Sequence, residues 1–97
     1  MTGPSPTVVL YSKPGCHLCD EARVLLAALV AERGAHGLAA PPIEERDILT
    51  DPEWESAFFL EIPVVEVGDR RLALATSAAK LRRLLSDALD GAEGTSA

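Results

Sequence analysis

Basic residues are in short supply in this chain: nine Lys and Arg stand against fifteen Asp and Glu, giving a formal net charge of -6 and a pI near 4.7. A phosphate backbone is gripped by massed cations, so nucleic acid is excluded as the expected partner. Long apolar runs are missing as well. The stretch VLLAALVA at residues 24–31 falls far short of the roughly 20 apolar residues that cross a bilayer, and no membrane span is expected. The opening MTGPSPT has neither the positive n-region nor the apolar h-region of a secretory signal, which makes the cytoplasm the expected compartment. Cysteine is scarce too, with only Cys16 and Cys19. Lasting disulfides are rare in a reducing cytosol, and a bridge three positions apart closes so small a loop that it constrains the unfolded chain little. A purely structural disulfide is therefore the weakest use of the pair.

What is present suits one soluble domain: 97 residues, 47% apolar and 25% charged. Residues 1–6 read as an irregular lead-in because Gly3, Pro4 and Pro6 discourage regular structure. TVVLYS (residues 7–12) is a β-rich apolar run ended by KPG, a buried strand. From Cys16 on, Leu18, Ala22, Leu25 and Leu29 recur at helical spacing, with Leu26 and Val30 alongside, predicting an amphipathic helix that ends near Gly34. IEERDI (residues 43–48) alternates apolar and charged positions as a short strand does. TDPEWESAFFL (residues 50–60) offers Thr50 or Asp51 as an N-cap, a proline in the first turn, and Trp54, Phe58 and Phe59 on a helical spacing. IPVVEV (residues 62–67) and RRLALA (residues 70–75), split by Gly68 and Asp69, make a hairpin. Ala78, Leu81, Leu85 and Ala88, with Leu84 and Leu89, give a last helix before a tail at residues 91–97. The order β-α-β-α-β-β-α predicts an α/β domain over residues 7–90, with a mixed four-stranded sheet flanked by three helices.

In that order both cysteines sit where a strand hands over to a helix, a corner at which ligands and chemistry commonly gather. Positions i and i+3 of a C-x-x-C project from neighbouring turns on one face, close enough to bridge. The first N–H groups of a helix lack internal partners and favour a thiolate. Cys16, at the helix edge, is thus the expected nucleophile, and Cys19, one turn inside, the resolving thiol. Lys13 adds positive charge three residues upstream, whereas Asp20 and Glu21 act in the opposite sense. Other uses of the pair stay open at this point. A structural zinc site wants four ligands, and only Cys16, Cys19 and His17 are local, with His36 in a Gly-flanked loop; no metal is expected. His17 reads as a solvated residue rather than a general base.

The segment LYSKPGCHLC resembles the active-site segment of glutaredoxins, and more closely that of short bacterial glutaredoxin-like proteins of the thioredoxin superfamily. The resemblance spans most of the chain and includes EIPVV, where that fold carries an aliphatic residue, a proline and a strand. It implies a thioredoxin/glutaredoxin-like fold and a thiol–disulfide oxidoreductase with Cys16 and Cys19 as the reacting pair. It also implies a cis Ile62–Pro63 bond, with the backbone of Ile62 exposed to a substrate's extended main chain. Lys13, Ile62, Pro63 and Ser77 would line the substrate site. The implied partners are a disulfide-bearing client protein or a glutathionylated thiol, together with a cellular thiol reductant; no tightly bound cofactor is expected, glutathione enters only as a co-substrate, and the chain is expected to be a monomer. Two places depart from the family's pattern. LALATSAAKL (residues 72–81) stands where glutaredoxins carry a Gly-Gly turn and an acidic residue that hold glutathione, and His17-Leu18 replaces the usual Pro-Tyr between the cysteines. Alternative readings are an iron–sulfur cluster or metal module that uses Cys16, and a non-catalytic interaction domain.

Overall fold

The computed structural model describes residues 6–90. The chain runs β1 (Val8–Ser12), α1 (His17–Ala35), β2 (Ile43–Asp47), a single 3-10 turn (Ile48–Thr50), α2 (Pro52–Phe58), β3 (Val64–Val67), β4 (Arg70–Leu72) and α3 (Ala78–Leu89). The four strands form one sheet in the order β2-β1-β3-β4, with β1 parallel to β2, and with β1–β3 and β3–β4 antiparallel. This is the mixed sheet with three helices that the element order predicts. The expected tail at residues 91–97 and all of the expected lead-in except Pro6 lie outside the described residues.

β1 occupies an interior position in the sheet, and all five of its residues are buried. A strand covered on both faces needs apolar side chains at every position, which is why VVLY shows no polar alternation. Its side chains still divide by parity. Val8 and Leu10 join a core with Ala22, Leu26 and Leu29 of α1 and with Leu81, Leu84 and Leu85 of α3. Val9 and Tyr11 join a second core with Cys19, Ile48, Phe58, Ile62 and Val64. The cysteine pair therefore belongs to the smaller core, beneath the short α2.

Several boundaries differ from expectation. The buried stripe of α1 passes through Cys19, Ala22, Leu26, Leu29 and Arg33 rather than starting at Leu18, which is 47% exposed. The spacing of three and four residues is preserved but rotated by one position, because Cys19 takes the inward place at the helix start. α2 is shorter than predicted. Asp51, the second N-cap candidate, accepts from the Glu53 N–H at 2.8 Å, and Phe59 and Leu60 fall beyond the helix, exposed. β3 begins at Val64, two residues late, because the Ile62 N–H donates to the Phe58 carbonyl (3.1 Å) and Pro63 has no N–H for a ladder. β4 stops at Leu72. Leu74 adopts φ 51, and its N–H and that of Ala75 donate to the carbonyls of Glu61 and Pro63 (2.9 and 2.8 Å), so the chain turns across the start of β3 before entering α3. Gly68 takes φ 61 in the two-residue turn between paired Val67 and Arg70, a position where positive φ suits glycine.

Candidate functional site

The site is assembled at the carboxyl end of β1. Ser12, the last strand residue, is buried, and its hydroxyl donates to Glu45 Oε2 at 2.6 Å. Glu45 on β2 also accepts a two-pronged contact from Arg23 of α1 (Nε 2.7 Å, Nη2 2.6 Å), and Arg23 Nη1 reaches Asp20 at 2.8 Å. Such a fork is directional as well as charge-assisted, so it ties the first turns of α1 to the sheet. Arg23's hydrogen bonds to Glu45, and then to Asp20, hold the guanidinium further above its ordinary range; the same contact pulls the Glu45 carboxyl below its own, against the opposing effect of burial and with help from Ser12.

Between strand and helix, Lys13, Pro14 and Gly15 make the turn, with Gly15 at φ 77. Cys16 follows as the N-cap of α1, in extended backbone, and its Sγ accepts the Cys19 N–H at 3.1 Å. This is the capping interaction that Ser or Asp usually supplies, here made by sulfur. Cys16 and Cys19 are joined as a disulfide, with Cα atoms 5.2 Å apart. Cys16 is half-buried, while Cys19 is wholly enclosed among Val9, Tyr11, Phe58, Ile62 and Val64. An approaching molecule can therefore meet Cys16 and cannot meet Cys19.

The surroundings sort the other candidates. Ile62 packs in the same cluster as both cysteines, Pro63 is fully buried, and the Ile62–Pro63 peptide is cis. Ile62 is buried as a residue, and its N–H donates to the Phe58 carbonyl at 3.1 Å. The Lys13 ammonium lies 5.5 Å from the Phe59 ring centroid, a cation–π contact that sets both beside the cysteine turn. Ser77 is the N-cap of α3, and its hydroxyl accepts the Lys80 N–H at 3.2 Å. It stands two residues past Ala75, whose N–H is held by the Pro63 carbonyl. The two carboxylates after the pair are each partnered, Asp20 by Arg23 and Glu21 by His17 Nε2 at 3.3 Å. His36 lies at the far end of α1, with its Nδ1 against the Glu32 carbonyl. Among the described residues no group of three or more His, Cys, Asp or Glu is gathered as a metal site.

Sequence reasoning misses Arg23, Ser12 and Glu45. The Asp20–Arg23 spacing of three was a visible signal, but Glu45 is brought in only by the parallel register that sets it across from Leu10, next to Ser12. It also misses an apolar rim. Leu18 lies between the cysteines, Phe59 and Leu60 follow α2, and Leu74 sits in the turn hydrogen-bonded to Glu61; all four are about half exposed or more.

A profile for the glutaredoxin-like domain (DUF836) matches residues 7–91. The chain belongs to that family. Among solved structures it is similar to the X-ray structure of the Northeast Structural Genomics target protein XcR50 from X. campestris, with 31% identity, a TM-score of 0.64, and coverage of 84% of this chain and 97% of that one. No curated protein matches it. The fold is thioredoxin-like, and the family's C-x-x-C spacing falls on the Cys16–Cys19 pair described above.

Proposed function

We propose that the chain is a dithiol–disulfide oxidoreductase that reduces disulfides presented by client proteins. The observation that carries the reading is the asymmetry of the pair: Cys16 caps the helix at the surface, and Cys19 lies one turn inside with no exposure. In the reduced protein the Cys16 thiolate attacks one sulfur of the client's disulfide. The client's S–S bond breaks, its other sulfur leaves as a thiolate that takes up a proton, and a mixed disulfide with Cys16 remains. Cys19, as thiolate, then attacks Cys16 Sγ. The mixed disulfide breaks, the second client thiol departs, and the Cys16–Cys19 bridge forms. Two electrons have passed to the client, and a cellular thiol reductant returns the bridge to the dithiol. The helix start and the Cys19 N–H stabilise negative charge on Cys16 Sγ.

The remaining residues shape access. Lys13, held over Phe59, and the Ile62 carbonyl beside buried Pro63 border the approach to Cys16. Ser77 and the first N–H groups of α3 close the side beyond Ala75. Protein disulfides are favoured over glutathione mixed disulfides because exposed Leu18, Phe59, Leu60 and Leu74 offer apolar surface to a polypeptide. The reading sets the protein in the cytoplasm as a monomer, with glutathione at most a co-substrate. Turnover tests it. Wild type is expected to reduce a disulfide-bonded protein faster than a glutathione mixed disulfide, and Cys16→Ser is expected to lose both activities. Full activity in Cys16→Ser would overturn the reading.

A further inference from the structure

Of the nine Lys and Arg residues, five are ion-paired: Arg23, Arg33, Arg46, Arg71 and Arg82. Lys13 is occupied by the Phe59 ring. The other three, Arg70, Lys80 and Arg83, have no carboxylate partner among the described residues, and all three line one groove of about 400 Å³ between β4 and α3. Arg71 stands on the same rim, shared with Glu66 at 3.1 Å, and Asp87 is the one acidic residue of the lining. In a chain of net charge -6, the three cations without a carboxylate partner, set against Asp87 alone once Arg71 is balanced by Glu66, make a local positive field of the opposite sign. Lys80, Arg83 and Asp87 recur at spacings of three and four on α3, so they share one side of the helix. Leu72 and Leu84 supply the apolar part of the groove.

We infer that the β4–α3 groove is a docking site for an acidic peptide segment of a partner protein, with carboxylates on Arg70, Lys80 and Arg83 and an apolar side chain against Leu72 and Leu84. Planar guanidinium groups hold carboxylates through paired hydrogen bonds, and a mixed floor of leucine and rim of cations suits a segment that alternates Glu or Asp with aliphatic residues. The short span of the basic surface selects the class of partner. A phosphodiester chain or an anionic bilayer extends past the groove and meets the acidic remainder of the molecule, whose field repels it. A peptide with a few carboxylates ends within the groove. The site makes no use of the cysteines, so its test is separate from that of the redox reading.

The measurement is fluorescence anisotropy of a labelled peptide of repeated Glu-Glu-Leu titrated with the full chain at low salt. Saturable binding is expected, and it is expected to vanish when every Glu of the peptide is replaced by Gln. Arg70→Glu combined with Arg83→Glu is expected to weaken binding by about tenfold or more, and the milder Arg70→Gln with Arg83→Gln to weaken it less, with circular dichroism unchanged in both. Arg82→Gln removes one positive charge from the part of α3 that faces Glu32, and is expected to bind within about twofold of wild type. Absence of saturable binding, or wild-type affinity in the charge-reversed variant, would overturn the inference. So would tighter binding, through the same arginines, of a single-stranded oligonucleotide or of phosphatidylserine vesicles, which would place a nucleic acid or a membrane there instead.

Discussion

Asp20 lies one helical turn after Cys16, where an unpaired carboxylate would oppose a thiolate. Arg23 changes that by taking Asp20 at 2.8 Å while its other two nitrogens hold Glu45. The guanidinium thus performs two tasks, neutralising a carboxylate one helical turn from Cys16 and fastening the helix start to the strand that precedes it through Ser12. Replacing Arg23 by Gln removes both. The rate of Cys16 alkylation by iodoacetamide at pH 7 in the reduced protein is expected to fall about three- to tenfold, with the midpoint of its pH profile displaced upward. Arg23→Lys restores charge without the fork and is expected to recover part of the rate. A merely structural role would lower the melting temperature and leave the pH profile in place, so the two readouts separate the explanations.

Among the elements, α1 has the longest reach and is fixed at both ends. Its start is held by the Ser12–Glu45–Arg23 chain, and its end by Arg33, a nearly buried side chain that donates to the Ala39 carbonyl (2.6 Å) and to Asp90 at the end of α3 (2.7 Å). Arg33 therefore completes the helix's inward stripe with an apolar stem and a charged head held through Nε and Nη2. Arg33→Ala is expected to destabilise the fold by about 2 kcal/mol, read from denaturant unfolding, because it strips packing and leaves the Asp90 carboxylate half-buried and unpaired. Elements of this kind were legible in the sequence wherever a local pattern carries them. β1, α1 and α3 announce themselves through continuous or periodic apolar residues, and the hairpin through Gly68-Asp69. The ends of β3 and β4 were not legible, because they depend on where Phe58, Glu61 and Pro63 place carbonyls and on the positive φ of Leu74, and neither is encoded within the strand itself. Leu18 misled for a related reason: a leucine at helical spacing is inward only if the helix starts in the phase that it assumes, and Cys19 set that phase.

At the scale of the molecule, an acidic chain with two cysteines resolves into a thioredoxin-like domain of the glutaredoxin-like family, with its cysteine pair at the carboxyl edge of an interior strand and with Arg70, Lys80 and Arg83 lining a groove between β4 and α3. The sequence carried the pair and its corner, since strand, Pro-Gly turn and helix are adjacent in the chain. It did not carry the partners that come from afar: Glu45 is set beside Ser12 by the parallel register, Phe59 is set under Lys13 by the end of α2, and Arg70 and Arg83 are brought to one groove by the packing of α3 on β4. The central claim is that Cys16 attacks and Cys19 resolves. Its most direct test is to mix reduced Cys19→Ser and reduced Cys16→Ser separately with a disulfide-bonded protein, quench with acid, and map any cross-link by mass spectrometry. A stable mixed disulfide through Cys16 in the first variant, and none in the second, is the predicted result; a cross-link through Cys19, or none in either variant, would contradict it.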